Sequence, residues 1–130
     1  MQSNIRKTKI LVCISVIALL ISNCNRKTDL DNQITITINS VDSDTKRPRV
    51  NAFDTIEIRK MGIGYLMKTS KKVGEYVTDS LGSVKIKIDP TEEYHISLYG
   101  IAVFGWANFN ENDLKDGQKV IIEASPPEKR

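Results

Sequence analysis

Apolar and polar residues alternate with a period of two along most of the chain beyond residue 33. Ile34, Ile36 and Ile38 alternate with Thr35, Thr37 and Asn39, and Ile56 and Ile58 with Thr55, Glu57 and Arg59. Val84, Ile86 and Ile88 alternate with Ser83, Lys85 and Lys87, and Tyr94, Ile96 and Leu98 with His95, Ser97 and Tyr99. Successive side chains of an extended strand point to opposite faces, so each run predicts a strand with one buried face. Residues 73–78 and 102–109 predict strands of less regular pattern, and residues 120–122 a short one near the end. β-Branched and aromatic residues dominate these runs, as pleated surfaces prefer. Beyond the first 23 residues, no stretch of ten or more has helical spacing.

Turn chemistry separates the runs. Residues 42–48 form a polar loop with a proline, residues 79–82 (Asp-Ser-Leu-Gly) predict a tight hairpin with Gly82 at positive φ, and Asp89-Pro90 opens another loop. The polar stretch 108–117 ends in Asp116-Gly117, which suits a turn into the last strand. About seven short strands joined in this way predict an all-β fold, a seven-stranded antiparallel β-sandwich over residues 34–124. Its expected core is Ile34, Ile36, Ile38, Ile56, Ile58, Tyr76, Val84, Ile86, Ile88, Tyr94, Ile96, Leu98 and Ile122. Residues 125–130 hold two prolines and end charged, which predicts a frayed tail.

The opening of the chain follows another pattern. Arg6, Lys7 and Lys9 precede the twelve uncharged residues 10–21 (ILVCISVIALLI), and Ser22, Asn23 and Cys24 lead into the polar Asn25, Arg26 and Lys27. A helix needs about 20 apolar residues to cross ~30 Å of hydrocarbon. This run rises only about 18 Å at 1.5 Å per residue. A basic head, a short apolar run and a small-residue exit predict a secretory signal peptide over residues 1–23 rather than a membrane span. The whole chain carries 19 basic and 16 acidic residues. Arg6, Lys7 and Lys9 leave with the signal while every acid stays, so the net charge of +3 falls to zero. This argues against a nucleic-acid partner, which needs a clustered basic face. Lys46, Arg47 and Arg49 make only a small basic knot beside Asp42 and Asp44. Of the two cysteines, Cys13 leaves with the signal, and Cys24 remains alone at the new N-terminus without an internal disulfide partner.

The stretch Leu20-Ile21-Ser22-Asn23-Cys24 resembles the lipobox of bacterial lipoproteins. Ile21 supplies the branched apolar residue three positions before the cysteine and Ser22 the small one, while Asn23 stands where Gly, Ala or Ser is usual. The resemblance implies diacylation of the Cys24 sulfur, cleavage just before it, and acylation of the new amine. Several acyl chains, at about 0.8 kcal/mol per buried methylene, make a durable anchor where one chain does not. The alternative is an unmodified or intermolecularly paired Cys24 after an ordinary cleavage site. Residues 24–33 are polar and short and read as a tether. Asn25 stands where lipoproteins kept at the inner membrane resemble one another in having Asp, which points to the outer membrane. Asp29 and Asp31 resemble the acidic export signal of surface lipoproteins.

A second resemblance covers most of the remaining chain. Residues 41–48 (VDSDTKRP), 51–58 (NAFDTIEI), 78–84 (TDSLGSV) and 94–98 (YHISL) are similar in order to the carboxypeptidase regulatory-like domain, a transthyretin-like β-sandwich. That pattern has a strand, an Asp-Thr-Pro loop, an Ala leading a second strand, a Thr-Asp-x-x-Gly hairpin and a Tyr-led strand. Two of its glycines are replaced, by Lys46 after Thr45 and by Asn51 before Ala52. Asn tolerates positive φ better than most residues. The resemblance implies a non-enzymatic module of the cell envelope; a fold by itself does not fix a function.

Candidate chemistry is sparse. His95 is the lone histidine and falls on the strand face opposite Ile96 and Leu98, which predicts a solvent-facing side chain rather than a catalytic one. No serine sits in a Gly-x-Ser-x-Gly turn. No catalytic residue, cofactor or metal site is assigned. One histidine is too few for zinc, and Lys46 and Arg47 follow Asp42 and Asp44 where a calcium loop needs further oxygen ligands and a glycine. Glu111, Asp113 and Asp116 form a further acidic cluster in a polar loop. Phe104, Trp106 and Phe109 form a possible binding surface able to stack on a sugar or grip a protein. Alternation places Phe104 and Trp106 on one face and Phe109 on the other, and Trp106 is expected in the core. Residues 61–67 (MGIGYLM) are expected to form an edge that packs inward. The chain therefore reads as a lipid-anchored envelope module that meets an envelope protein or a polysaccharide. An inhibitor or immunity lipoprotein is the alternative. A strained loop entering a partner's cleft favours the inhibitor, and a flat aromatic patch favours docking.

Overall fold

The computed structural model describes residues 32–127. The signal segment 1–23, Cys24, the tether up to residue 31 and residues 128–130 lie outside them. Every alternating run lies in a strand: β1 (Ile34–Asp42), β2 (Thr55–Ile63), β3 (Lys68–Val77), β4 (Ser83–Ile88), β5 (Tyr94–Gly100), β6 (Val103–Phe109) and β7 (Lys119–Ala124). There is no helix among the described residues. The strands form a three-stranded sheet in the order β4-β1-β7 and a four-stranded sheet in the order β3-β2-β5-β6.

The inward faces of both sheets meet in one core. Ile36, Ile38, Ile86, Ile88, Val120 and Ile122 come from the first sheet, and Ile56, Ile58, Tyr94, Ile96 and Leu98 from the second. Ile34, Tyr76 and Val84, expected inside, pack at its margin. Leu114 belongs to no alternating run, yet it is buried to the same degree and closes the core from the loop between β6 and β7. The run 120–122 resolves into alternation, with Val120 and Ile122 buried and Ile121 exposed.

Two connections differ from the expected antiparallel hairpin arrangement. First, β1 pairs antiparallel with β4 but parallel with β7, Ile38 lying opposite Val120. Between these two strands the chain crosses to the other sheet and returns, so no hairpin constrains their relative direction. Alternation carries no information about direction either. Second, the turn at 79–82 forms with Gly82 at φ 77°. Asp79 Oδ1 accepts from the amides of Leu81 and Ser83, both at 2.9 Å. The turn joins β3 to β4, which belong to different sheets, so it is a corner of the sandwich and not a hairpin. The hairpins are β2–β3 and β5–β6.

Strand β3 begins at Lys68, five residues before the expected 73–78 run. It is the edge of its sheet, and Lys68, Lys71 and Lys72 are exposed on it. An edge strand buries little on either face, so alternation is not required, and lysines there discourage pairing with other chains. At the far edges, Ser125 exchanges both backbone hydrogen bonds with Phe104 at 2.9 Å, which ties β6 to the end of β7 across the sandwich.

A buried ion pair sits between β1, the β1–β2 loop and β5. Asp54 is 1% exposed. It accepts from Arg49 Nε at 2.8 Å and Nη2 at 3.1 Å, and from Ser40 Oγ at 2.5 Å. A Cβ at Gly100 would stand 2.2 Å from Asp54 Oδ1, so the absence of a side chain there makes room for the pair. Burial pushes the Asp54 carboxyl upward, but the Arg49 and Ser40 hydrogen bonds and the Arg49 charge outweigh it and hold the carboxyl below its ordinary range. A depressed folded-state pKa contributes stability that is present above the unfolded value, near 4, and is lost as pH falls through the folded value. Urea unfolding followed across that acid window should show the loss, and Asp54→Asn, though less stable at neutral pH, should show a flatter acid dependence.

Candidate docking surface

Register places the outward side chains of the four-stranded sheet in rows. One row runs Val77, Thr55, Tyr99, Phe104; the next Glu75, Glu57, Ser97, Trp106; the next Lys72, Arg59, His95, Asn108. Aromatic residues collect on the β5–β6 side and charges on the β2–β3 side. Tyr99 lies directly opposite Phe104, with ring centroids 5.5 Å apart at 49°. Trp106 lies diagonal to His95, their rings stacked at 5.9 Å and 27°. Both contacts are within reach of neighbouring positions on one sheet face. The His95 Nδ1 lies 2.6 Å from Asn108 Oδ1, so the imidazole is held between Asn108 and the indole.

The expectation that Trp106 enters the core is overturned: it is 57% exposed, and Phe104 and Tyr99 are also exposed. Alternation had paired Phe104 and Trp106 correctly, and the sense of the face was inverted. The reason is Gly105. A Cβ there would stand 2.3 Å from the carbonyl oxygen of Glu123 on β7, so β6 and β7 approach too closely for a large inward side chain. Val103, Gly105, Ala107 and Phe109 therefore face inward, and Phe109 packs against the core instead of joining the surface. Tyr99, Glu57 and Arg59, which alternation places on the outward face, complete the surface, though the sequence does not single them out as binding residues. The two-residue Ile101-Ala102 turn between β5 and β6 would have found Tyr99, because it sets Tyr99 opposite Phe104.

Beside the aromatics, a groove of about 570 Å³ runs over Gly105, walled by Phe104, Trp106, Glu123, Ser125, Pro126 and Pro127. Glu123 and Ser125 are its polar lining residues, and the Glu123 carboxylate accepts from Lys46 Nζ at 2.7 Å. On the charged side, Glu57 accepts from Arg59 Nε at 2.6 Å and lies 3.3 Å from Lys72 Nζ. The Arg59 hydrogen bond, opposed by partial burial and helped by Lys72, holds the Glu57 carboxyl below its ordinary range. The surface thus offers exposed aromatic rings flanked by carboxylates and by Arg59, Lys72 and Asn108.

The other candidates lie elsewhere. Asp42 does not face a shared cavity with Asp44. Its Oδ1 accepts from the Thr45 amide at 2.8 Å, the Thr45 hydroxyl at 3.0 Å and the Asp44 amide at 3.1 Å, which holds its carboxyl low and caps the turn. Asp113 Oδ2 accepts from the Asn110 amide at 2.8 Å, and Asp116 Oδ1 from the Thr35 amide at 2.8 Å, so these carboxylates also organise loops. Among the described residues no group of three His, Cys, Asp or Glu side chains converges on a point. Residues 61–67 do not pack inward. Ile63, Tyr65, Leu66 and Met67 stand exposed at the β2–β3 tip, because β2 runs beyond the last residue of β5 that could cover it. No helix among the described residues is long and apolar enough to cross a membrane. The chain matches no protein-family model and no curated protein.

Proposed function

We propose that the protein is a lipid-anchored, non-enzymatic docking module of a bacterial cell envelope, and that the outer face of its four-stranded sheet binds an envelope polysaccharide. In this reading residues 1–23 are removed, Cys24 carries the acyl chains, residues 24–33 are the tether, and the outer membrane is the site. The observation that carries the binding assignment is the exposed aromatic cluster Tyr99, Phe104 and Trp106, on two adjacent rows of one sheet face and bordered by carboxylate, guanidinium and amide groups. Sugar rings present apolar C–H faces to aromatic planes and hydroxyls to the polar groups at their edges. A flat face of this kind suits an extended polymer better than the convex loop of an inhibitor.

The likeness to the carboxypeptidase regulatory-like domain gains support from backbone geometry. Lys46 and Asn51 stand where that pattern has glycine, and they have φ of 56° and 58°. A left-handed backbone, found at both positions, is one that glycine adopts without strain.

Two experiments test the reading. Cells grown with labelled palmitate should incorporate label into the protein, and Cys24→Ala should abolish it; label retained by that variant contradicts the anchor. In affinity electrophoresis through gels containing isolated envelope polysaccharide, the protein should be retarded and Trp106→Ala should migrate freely.

A further inference from the structure

We infer that the β2–β3 hairpin tip is a second membrane contact, which inserts into the bilayer interface beside the lipid anchor; the inference rests on the lipid-anchored reading above. Ile63, Tyr65, Leu66 and Met67 are 97%, 100%, 87% and 74% exposed. No charged residue occurs from Met61 to Met67. Four large apolar side chains bared within five residues are not ordinary solvated surface. The tip is a formed turn, closed by Gly64 donating to the Met67 carbonyl at 2.9 Å.

The place of this tip in the fold identifies its occupant. The chain enters the domain at Gln33, and Ile34 pairs with Ile88 at the end of β4. Gln33 lines a cleft with Ile88, Asp89 and Tyr94 and with the mid-strand residues Ile58 and Val73, so the start of β1 lies toward the end of the sandwich at which β4 ends, β5 begins and β2 runs on to its tip. Gln33, the entry to β1, and the apolar tip therefore lie toward the same pole of the domain. Nine residue steps lead from Cys24 to Gln33, so Gln33 stays within about 30 Å of an anchored bilayer at any extension of the tether. Strand β2 continues three residues beyond Lys60, its last partner to β5. At about 3.3 Å per residue β2 reaches roughly 10 Å past its last partner on β5, and residues 65–67 of the turn project beyond the loops that flank Met61 and Ile63. Tyr65 carries the ring and hydroxyl that favour this boundary.

The base of the hairpin carries no excess of positive charge, since Glu92, Glu93 and Glu111 line one cleft with Met61, Ile63 and Lys68. Lys60 pairs with Glu92 at 2.6 Å and Lys68 with Glu93 at 3.4 Å. Insertion is therefore driven by apolar burial and not by attraction to anionic headgroups, and it should survive high salt. Because the anchor already holds the tip near the surface, a weak contact suffices to orient the domain. The opposite pole, with the corner at residues 79–82, then faces away from the membrane.

The test uses the full chain, purified from membranes and reconstituted into phosphatidylcholine vesicles that carry a nitroxide-labelled phosphatidylcholine. One variant is Leu66→Cys and the control is Leu81→Cys, exposed at the far pole; each bears a polarity-sensitive fluorophore, the Cys24 thiol being acylated. Expected is a blue-shifted, nitroxide-quenched emission at position 66, unchanged in high salt, with water-like, unquenched emission at 81. A protein that floats with the vesicles while position 66 stays as water-exposed as 81 overturns the inference and leaves the anchor standing. Shielding at 66 in native envelope membranes but not in vesicles also overturns it, in favour of a protein partner. A chain that does not float, and that takes a second fluorophore at an unacylated Cys24, defeats the anchor itself and with it this inference.

Discussion

Arg49→Met is expected to lower the unfolding free energy by about 3–5 kcal/mol, the cost of leaving a buried charge without its partner. Arg49 reaches Asp54 with two nitrogens, and the Asp54 side chain has no exposed surface through which water could replace them. Ser40 alone would remain as a side-chain donor. A domain of this size has a total stability of roughly 5–15 kcal/mol, so a large part of it would be lost. The pH dependence separates this cause from lost packing. Without Arg49, burial dominates and raises the Asp54 pKa above its unfolded value. The folded state of the variant is then favoured below that unfolded value and weakened as pH rises, the reverse of the wild-type slope. Urea titrations should find the gap between the two proteins narrowing toward acid. Asp54→Asn combined with Arg49→Met should recover part of the loss, because the uncompensated charge is gone.

Gly105→Val is expected to cost about 3 kcal/mol, the upper part of the range for overpacking a filled interior. The added Cβ meets a backbone oxygen, that of Glu123, and the Ile122 side chain at 3.1 Å, so rotation of a flexible group cannot relieve it. The strain should separate β6 from β7 and break the Phe104–Ser125 pairing. Trp106 and Phe104 flank this residue, so the substitution should also weaken ligand binding. Hydrogen exchange should locate the damage: the Phe104 and Ser125 amides should lose protection while the Ile36 and Ile86 amides on β1 and β4 keep theirs.

The strands were legible because each interior one buries a single face, which a period of two reports directly. The core list followed for the same reason. What escaped was whatever depends on a partner strand. Parallel pairing of β1 with β7 and the passage of residues 79–82 between sheets leave no local trace, since the same turn residues serve a hairpin or a corner. Asp54 looks like any loop carboxylate until Arg49 and Gly100 are seen around it. Leu114 is a single apolar residue in a polar stretch, and one residue has no period. For the surface, Phe104 and Trp106 were correctly assigned to one face, but which face meets the core depended on how closely β7 approaches Gly105. The exposure of the tip at residues 63–67 is not legible in the sequence because apolar composition predicts burial only where another element is present to supply it.

Trp106 is the single tryptophan of the chain, so its fluorescence reports on the docking surface alone. Isolated envelope polysaccharide, titrated into the protein, should produce a saturable change in that emission. Tyr99→Ala and Phe104→Ala, which spare the reporter, should each weaken the apparent affinity about 10–30-fold, the equivalent of ~1.4–2 kcal/mol for a central aromatic contact. Polysaccharide binding detected by calorimetry with Trp106 emission unmoved and affinity unaltered in both variants would contradict the assignment of this face.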